Sequence, residues 1–133
     1  GDTATILLVE DNETDVFVIT QVLQHCGFRF RFHVARDGED ALAYLQEIQS
    51  GADAPKLVLM DLNIPKIRGV EVLERIRGDS RLSLIPVVIV SSSENETDQR
   101  TVRKLGIAAY FKKPMSLDGY NELAPILKRL LSA

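Results

Sequence analysis

Four short stretches of this 133-residue chain carry side chains that could do chemistry together. They are the acidic pair Glu10-Asp11, the lone acid Asp61, the hydroxyl run Ser91-Ser92-Ser93 and the pair Lys113-Pro114. Each lies at the end of an apolar run, so each is expected at the carboxyl end of a strand. Three carboxylates drawn together would repel and raise one another's pKa values unless a cation sat among them. No histidine or cysteine lies nearby in the sequence, and an oxygen-only set suits a hard, partly hydrated ion such as Mg²⁺. A hydroxyl and an ammonium on the same rim would complete a phosphoryl site: carboxylate nucleophile, metal, one cationic partner and one hydroxyl donor for the phosphoryl oxygens. Taken singly, each group has a plainer role, as a helix-capping acid, a turn serine or a solvated lysine. Capping by Glu10 and Asp11 leaves Asp61 unexplained.

Bringing these residues to one rim requires a particular scaffold. Apolar runs alternate with helical patterns five times along the chain, the signature of a parallel sheet flanked by helices. Strands are predicted at 5–9, 28–35, 57–60, 86–91 and 108–111, and helices at 13–26, 38–50, 69–78, 95–105 and 117–131. Ile6-Leu7-Leu8-Val9, Leu57-Val58-Leu59-Met60 and Val87-Val88-Ile89-Val90 are unbroken apolar runs, as interior strands covered on both faces should be. The second run alternates instead, with Phe28, Phe30, Phe32 and Val34 against Arg29, Arg31 and His33. It reads as an edge strand with one face to solvent. The short fifth run gives way to Lys112-Lys113 and suits the opposite edge. With right-handed crossovers, the prediction is an α/β, flavodoxin-like (βα)5 doubly wound sandwich with a five-stranded parallel sheet in the order 2-1-3-4-5. The switch point then falls between strands one and three, where Glu10, Asp11 and Asp61 end. Pro125 predicts that the last helix is bent or begins late. The fourth helix has only Val102 and Leu105 as apolar anchors.

The chain is 45% apolar and 26% charged, which excludes disorder and collagen-like repeats, and its length fits a single domain over residues 1–133. A formal charge of −3 argues against a generic nucleic-acid coat. Cys26 is the sole cysteine, which excludes an intramolecular disulfide and makes a reducing, cytoplasmic setting the expectation. No apolar run approaches the roughly 18 residues of a membrane span. His25 and His33 fall away from the predicted rim and read as ordinary helix and edge-strand residues.

Taken in order, Glu10-Asp11, the segment Met60-Asp61-Leu62-Asn63-Ile64-Pro65 closing with Gly69, Ser91, and Tyr110-Phe111-Lys112-Lys113-Pro114 resemble the receiver domains of two-component response regulators. The likeness runs from about residue 5 to 131. The Val9-Glu10-Asp11-Asn12 start, the Asp61-Leu62-Asn63 triplet and the Ser91-Ser92-Ser93 run are most similar to small regulators that work beside bacterial phytochromes. The resemblance implies that Asp61 is the phosphoacceptor and that Glu10, Asp11, Asp61 and the backbone carbonyl of Asn63 hold Mg²⁺. It further implies that Lys113 pairs with the phosphoryl group, that Ser91 moves to hydrogen-bond it, and that Tyr110 changes rotamer with Ser91. Ser92 stands where the family commonly has Ala or Gly, and Arg68 where it often has Asp.

The implied partners are a sensor histidine kinase or phosphotransfer protein upstream. Downstream, a protein partner or a second copy would dock on the fourth helix, fifth strand and fifth helix. No segment for direct nucleic-acid binding or for an enzymatic output is expected within residues 1–133, so output is expected from a bound partner or from a domain outside this sequence. The competing reading is a haloacid-dehalogenase-type phosphohydrolase. That class usually needs a second Asp two positions after the nucleophile as acid and base, and Asn63 cannot serve.

Overall fold

The structure, a computed structural model, describes residues 4–27 and 29–132. Strands β1 (Ala4–Val9), β2 (Phe30–Ala35), β3 (Leu57–Met60), β4 (Val87–Ser91) and β5 (Ala109–Lys112) form one parallel sheet in the order 2-1-3-4-5. Helices α1 (Glu13–His25), α2 (Gly38–Gln46), α3 (Gly69–Gly78), α4 (Glu96–Leu105) and α5 (Leu123–Leu131) cover its two faces. The flavodoxin-like order predicted from the strand patterns is therefore the observed one.

Alternation within the apolar runs divides the core in two. Ile6, Leu8, Leu57, Leu59, Val88 and Val90 point to the α1 and α5 face and pack with Ile19, Leu23, Leu123 and Leu127. Leu7, Val9, Val58, Met60, Val87 and Ile89 point to the other face, against Leu42, Leu73, Ile76 and Val102. Continuous hydrophobicity in β1, β3 and β4 thus reflects burial on both sides. Register then aligns the strand ends. Val9 pairs with Met60, Met60 with Ile89, and Ser91 with Lys112, so the residues that follow emerge on one rim.

Two local differences from the sequence reading, and one expectation that the structure bears out, have physical causes. Helix α2 stops at Gln46 rather than 50 because Ile48 turns into the core while its carbonyl accepts from the Arg81 guanidinium; a short 3-10 turn, Gly51–Asp53, follows. Strand β2 begins at Phe30, and Phe28 lies outside the described residues. Its second face is not simply solvated, because His33 stacks on Tyr44 of α2 with ring centroids 4.1 Å apart. After β5 the chain forms a 3-10 segment, Leu117–Glu122, and α5 starts only at Leu123. Pro125 therefore sits in the first turn of α5, where a missing N–H has no helical acceptor to lose.

Candidate functional site

The site is built from residues one step beyond the sheet. The Glu10 N–H donates to the Ala35 carbonyl at 2.9 Å, the Asp61 N–H to Val9 at 3.1 Å and the Lys113 N–H to Ser91 at 3.0 Å. These bonds carry the parallel ladder one residue past each strand, so the three side chains leave the sheet from fixed backbone positions. Gly69, at the start of α3, lets the helix close on the loop that follows Asp61. A Cβ there would stand 2.7 Å from the Asp61 carbonyl and 2.8 Å from Leu62 Cα, too close for any other residue without movement.

Asp61 is buried, 5% exposed, and both its oxygens are engaged. Oδ1 accepts from the Ser91 hydroxyl at 2.7 Å and from the Asn63 N–H at 3.0 Å, while Oδ2 accepts from Lys113 Nζ at 2.8 Å. Ser91, fully buried, also accepts from the Ser93 N–H. The Lys113 ammonium stands among three carboxylates, 2.8 Å from Asp15 Oδ2, 2.8 Å from Asp61 Oδ2 and 2.9 Å from Glu10 Oε2. Burial works against its charge, but hydrogen bonding to Asp15, Asp61 and Glu10 holds its pKa above the usual lysine range.

Glu10 carries the strain of the arrangement. Burial and the neighbouring Asp61 charge push its carboxyl up to about 7, although Lys113 pulls the other way. Its Oε1 accepts from the Asn12 N–H, while Oε2 is buried and lacks a well-angled hydrogen bond despite its closeness to Lys113. The Lys113 ammonium is the cation beside Oε2 here, and the oxygen-only chemistry of Glu10 and the acids around it suits a hard cation. Asp11, next to it, is exposed and free of ion pairs among the described residues. No three acidic, histidine or cysteine side chains among the described residues are gathered into a ready cation cage. Lys113 occupies the space between the acids.

Of the other residues singled out from sequence, Tyr110 is half-buried, and its hydroxyl donates to the Ser93 carbonyl at 3.2 Å. Ser92 is exposed. Arg68 pairs with the buried Asp98 of α4. The sequence reading missed Asp15 and Tyr120: the Tyr120 hydroxyl donates to Asp15 Oδ1 at 2.7 Å. Asp15 sits in the first turn of α1, where acids are common for capping reasons alone, and no pattern marks Tyr120 as its partner.

Comparison with known proteins agrees with this geometry. The model of the response regulator receiver domain matches residues 6–123. The probable methanogenesis regulatory protein FilR2 of Methanothrix harundinacea is 38% identical over 118 residues, which cover 88% of this chain and 76% of that protein. The phosphorylated cyanobacterial phytochrome response regulator RcpA superposes with a TM-score of 0.88 at 36% identity, covering 98% of this chain and 96% of its own. The Mn²⁺-bound form of response regulator Rcp1 gives a TM-score of 0.81 at 34% identity, covering 97% and 92%. The curated Rcp1 sequence, from Synechocystis, is 37% identical over 114 residues, 84% of this chain and 78% of that protein. The phosphohydrolase alternative finds no support in these likenesses. The sheet order and these sequence likenesses point the same way, and the chain belongs to the response regulator receiver domain family.

Proposed function

We propose that Asp61 accepts a phosphoryl group from a sensor histidine kinase or a phosphotransfer protein, and that the chain acts as a signalling switch catalysing only its own phosphorylation and dephosphorylation. The observation that carries this reading is the double engagement of the buried Asp61 carboxylate, by Ser91 on one oxygen and Lys113 on the other. In the transfer, an Asp61 oxygen attacks phosphorus, the O–P bond forms and the donor's N–P bond breaks. The electron pair of that bond goes to the departing imidazole nitrogen, which takes a proton from solvent. Lys113 then pairs with phosphoryl oxygens, and Ser91 exchanges its bond to Oδ1 for one to the phosphoryl group.

Glu10, Asp11, Asp61 and the Asn63 carbonyl would hold Mg²⁺, which supplies charge neutralisation between the acids and the incoming phosphoryl oxygens. The oxygen-only chemistry of these groups supports the set, and the Mn²⁺ bound by the relative Rcp1 supports divalent-metal binding. Movement of Ser91 would be felt at Ser93, whose N–H bonds Ser91 and whose carbonyl bonds Tyr110, and so at α4, β5 and α5. That surface is our proposed docking face for a downstream protein or a second copy.

Incubation of wild type and Asp61→Asn with acetyl phosphate and Mg²⁺, followed by intact mass, tests the assignment. One added phosphate in wild type alone is expected, and equal uptake by both removes Asp61 from the role. Hydrogen exchange with and without beryllofluoride tests the route outward. Altered protection across residues 91–112 is expected; changes confined to the acidic loop would place the output elsewhere.

A further inference from the structure

Asp15 has no assigned part in the chemistry above, yet it makes one of the three contacts that hold Lys113. Its two oxygens are divided between two partners from the far end of the chain: Oδ2 takes the Lys113 ammonium at 2.8 Å and Oδ1 the Tyr120 hydroxyl at 2.7 Å. Tyr120 is only 3% exposed, and its ring packs at a tilt on Phe111, with centroids 6.0 Å apart. Such a phenol has little freedom to leave, and burial together with the Asp15 carboxylate keeps its proton on. It reaches Asp15 because the 3-10 segment closes tightly on Pro114: a Cβ at Gly119 would lie 2.3 Å from Pro114 Cβ. The chain from Lys113 to Tyr120 is thus folded back so that both of its polar tips meet one carboxylate on α1.

The three contacts to Lys113 are not equivalent. Asp61 changes from a carboxylate to an acyl phosphate when it reacts, and Glu10 belongs to the proposed cation set. Asp15 alone keeps the same charge and the same partner throughout, and its own orientation is fixed from behind by Tyr120. An ammonium on a flexible four-carbon stem loses rotamer freedom whenever it is held in one place. A fixed acceptor that meets this cost beforehand favours transfer.

We propose that Asp15 is a positioning residue, oriented by Tyr120, that holds Lys113 over the phosphoacceptor while Asp61 changes its bonding. The inference rests on the reading of Asp61 as phosphoacceptor. It predicts that the Asp15–Tyr120 pair acts only through Lys113.

The test uses Asp15→Ala, Tyr120→Phe and the double variant, with acetyl phosphate at fixed concentration and saturating Mg²⁺, and phosphate uptake followed by intact mass. Asp15→Ala should slow phosphorylation roughly tenfold, the lower end of what one charge-assisted hydrogen bond is worth. Tyr120→Phe, which keeps the ring on Phe111, should slow it less. The double variant should be no slower than Asp15→Ala alone, because removing Asp15 leaves Tyr120 nothing to orient. A second measurement reads Lys113 directly: its ¹⁵N ammonium resonance should be observable in wild type and exchange-broadened in Asp15→Ala, at a temperature well below the thermal midpoint of both proteins. A rate in Asp15→Ala equal to or above that of wild type, additive effects in the double variant, or an unchanged Lys113 resonance would each overturn the proposal. Phosphate uptake by Asp61→Asn would instead overturn the reading it rests on, so the two failures are separable. The ammonium resonance still decides the positioning claim in that case.

Discussion

Helices α3 and α4 are both ten residues long and pack against each other, and each follows a strand that ends at or one residue before a site residue, yet they are held in opposite ways. Val70, Val72, Leu73 and Ile76 of α3 are buried against the sheet, while α4 buries Val102 and half-buries Leu105. The remaining ties of α4 are polar. Asp98 pairs with Arg68, Gln99 Nε2 donates to the Ser93 carbonyl, and the Arg103 guanidinium lies 5.5 Å over the Tyr110 ring. Polar contacts near the surface can be traded for contacts with water at small net cost, whereas an apolar face must leave the core as a unit. Helix α3 is fixed by its apolar face and closes on the loop after Asp61 through Gly69, whereas α4 has the lower cost of local opening.

The contrast can be broken from the α3 side first. Leu73 is fully buried, and Leu73→Ala should cost about 4 kcal/mol of unfolding free energy by urea denaturation. A loss below that of the Val102→Ala variant described below would mean that α3 is no better anchored than its neighbour.

The acidic rim from which the helices start should show the next largest effect. The Glu10 carboxyl is pushed up from 4.5 to about 7, so the folded protein holds a proton that the unfolded chain has released. This contribution is fully present below about pH 4.5 and is lost as pH rises through about 7, on the order of 3 kcal/mol. In EDTA, urea midpoints measured across that window should fall more steeply for wild type than for Glu10→Gln. Added Mg²⁺ should flatten the wild-type slope. Parallel slopes for the two proteins would show that Glu10 is not the group responsible.

Smaller effects sharpen the picture of α4. Val102→Ala should cost about 2 kcal/mol, since it removes the one fully buried apolar side chain of that helix. Arg68→Ala should cost only about 1 kcal/mol, because Arg68 is more than half exposed and solvent screens the pair. Its effect on amide exchange should nonetheless be local, with faster exchange in residues 96–105 and no change in residues 69–78. Equal acceleration in both helices would mean that they move as one body.

Much of the fold and most of the site were legible because they depend on local pattern. An unbroken apolar run marks a strand buried on both faces, an alternating one marks an edge, and together these order the sheet. A site residue that immediately follows a strand inherits its place from the strand, which is why Glu10, Asp61, Ser91 and Lys113 could be nominated as a group. The late start of α5 was legible in Pro125, whose ring and missing N–H act within a single helical turn. The full extent of α2 was not, because its end is set by Ile48 and by Arg81, which lies 33 residues further on.

By itself, then, the sequence determined the strand order, the rim and the chemical types gathered on it, since hydrophobic periodicity and strand ends are properties of neighbouring residues. Tertiary structure alone decided how those groups are shared. Lys113 reaches Asp15 across 98 positions, Tyr120 reaches the same carboxylate across 105, and Arg68 reaches Asp98 across 30. No periodicity links such pairs. Each depends on how closely two elements approach and on which polar atoms are left facing each other once the apolar faces have packed.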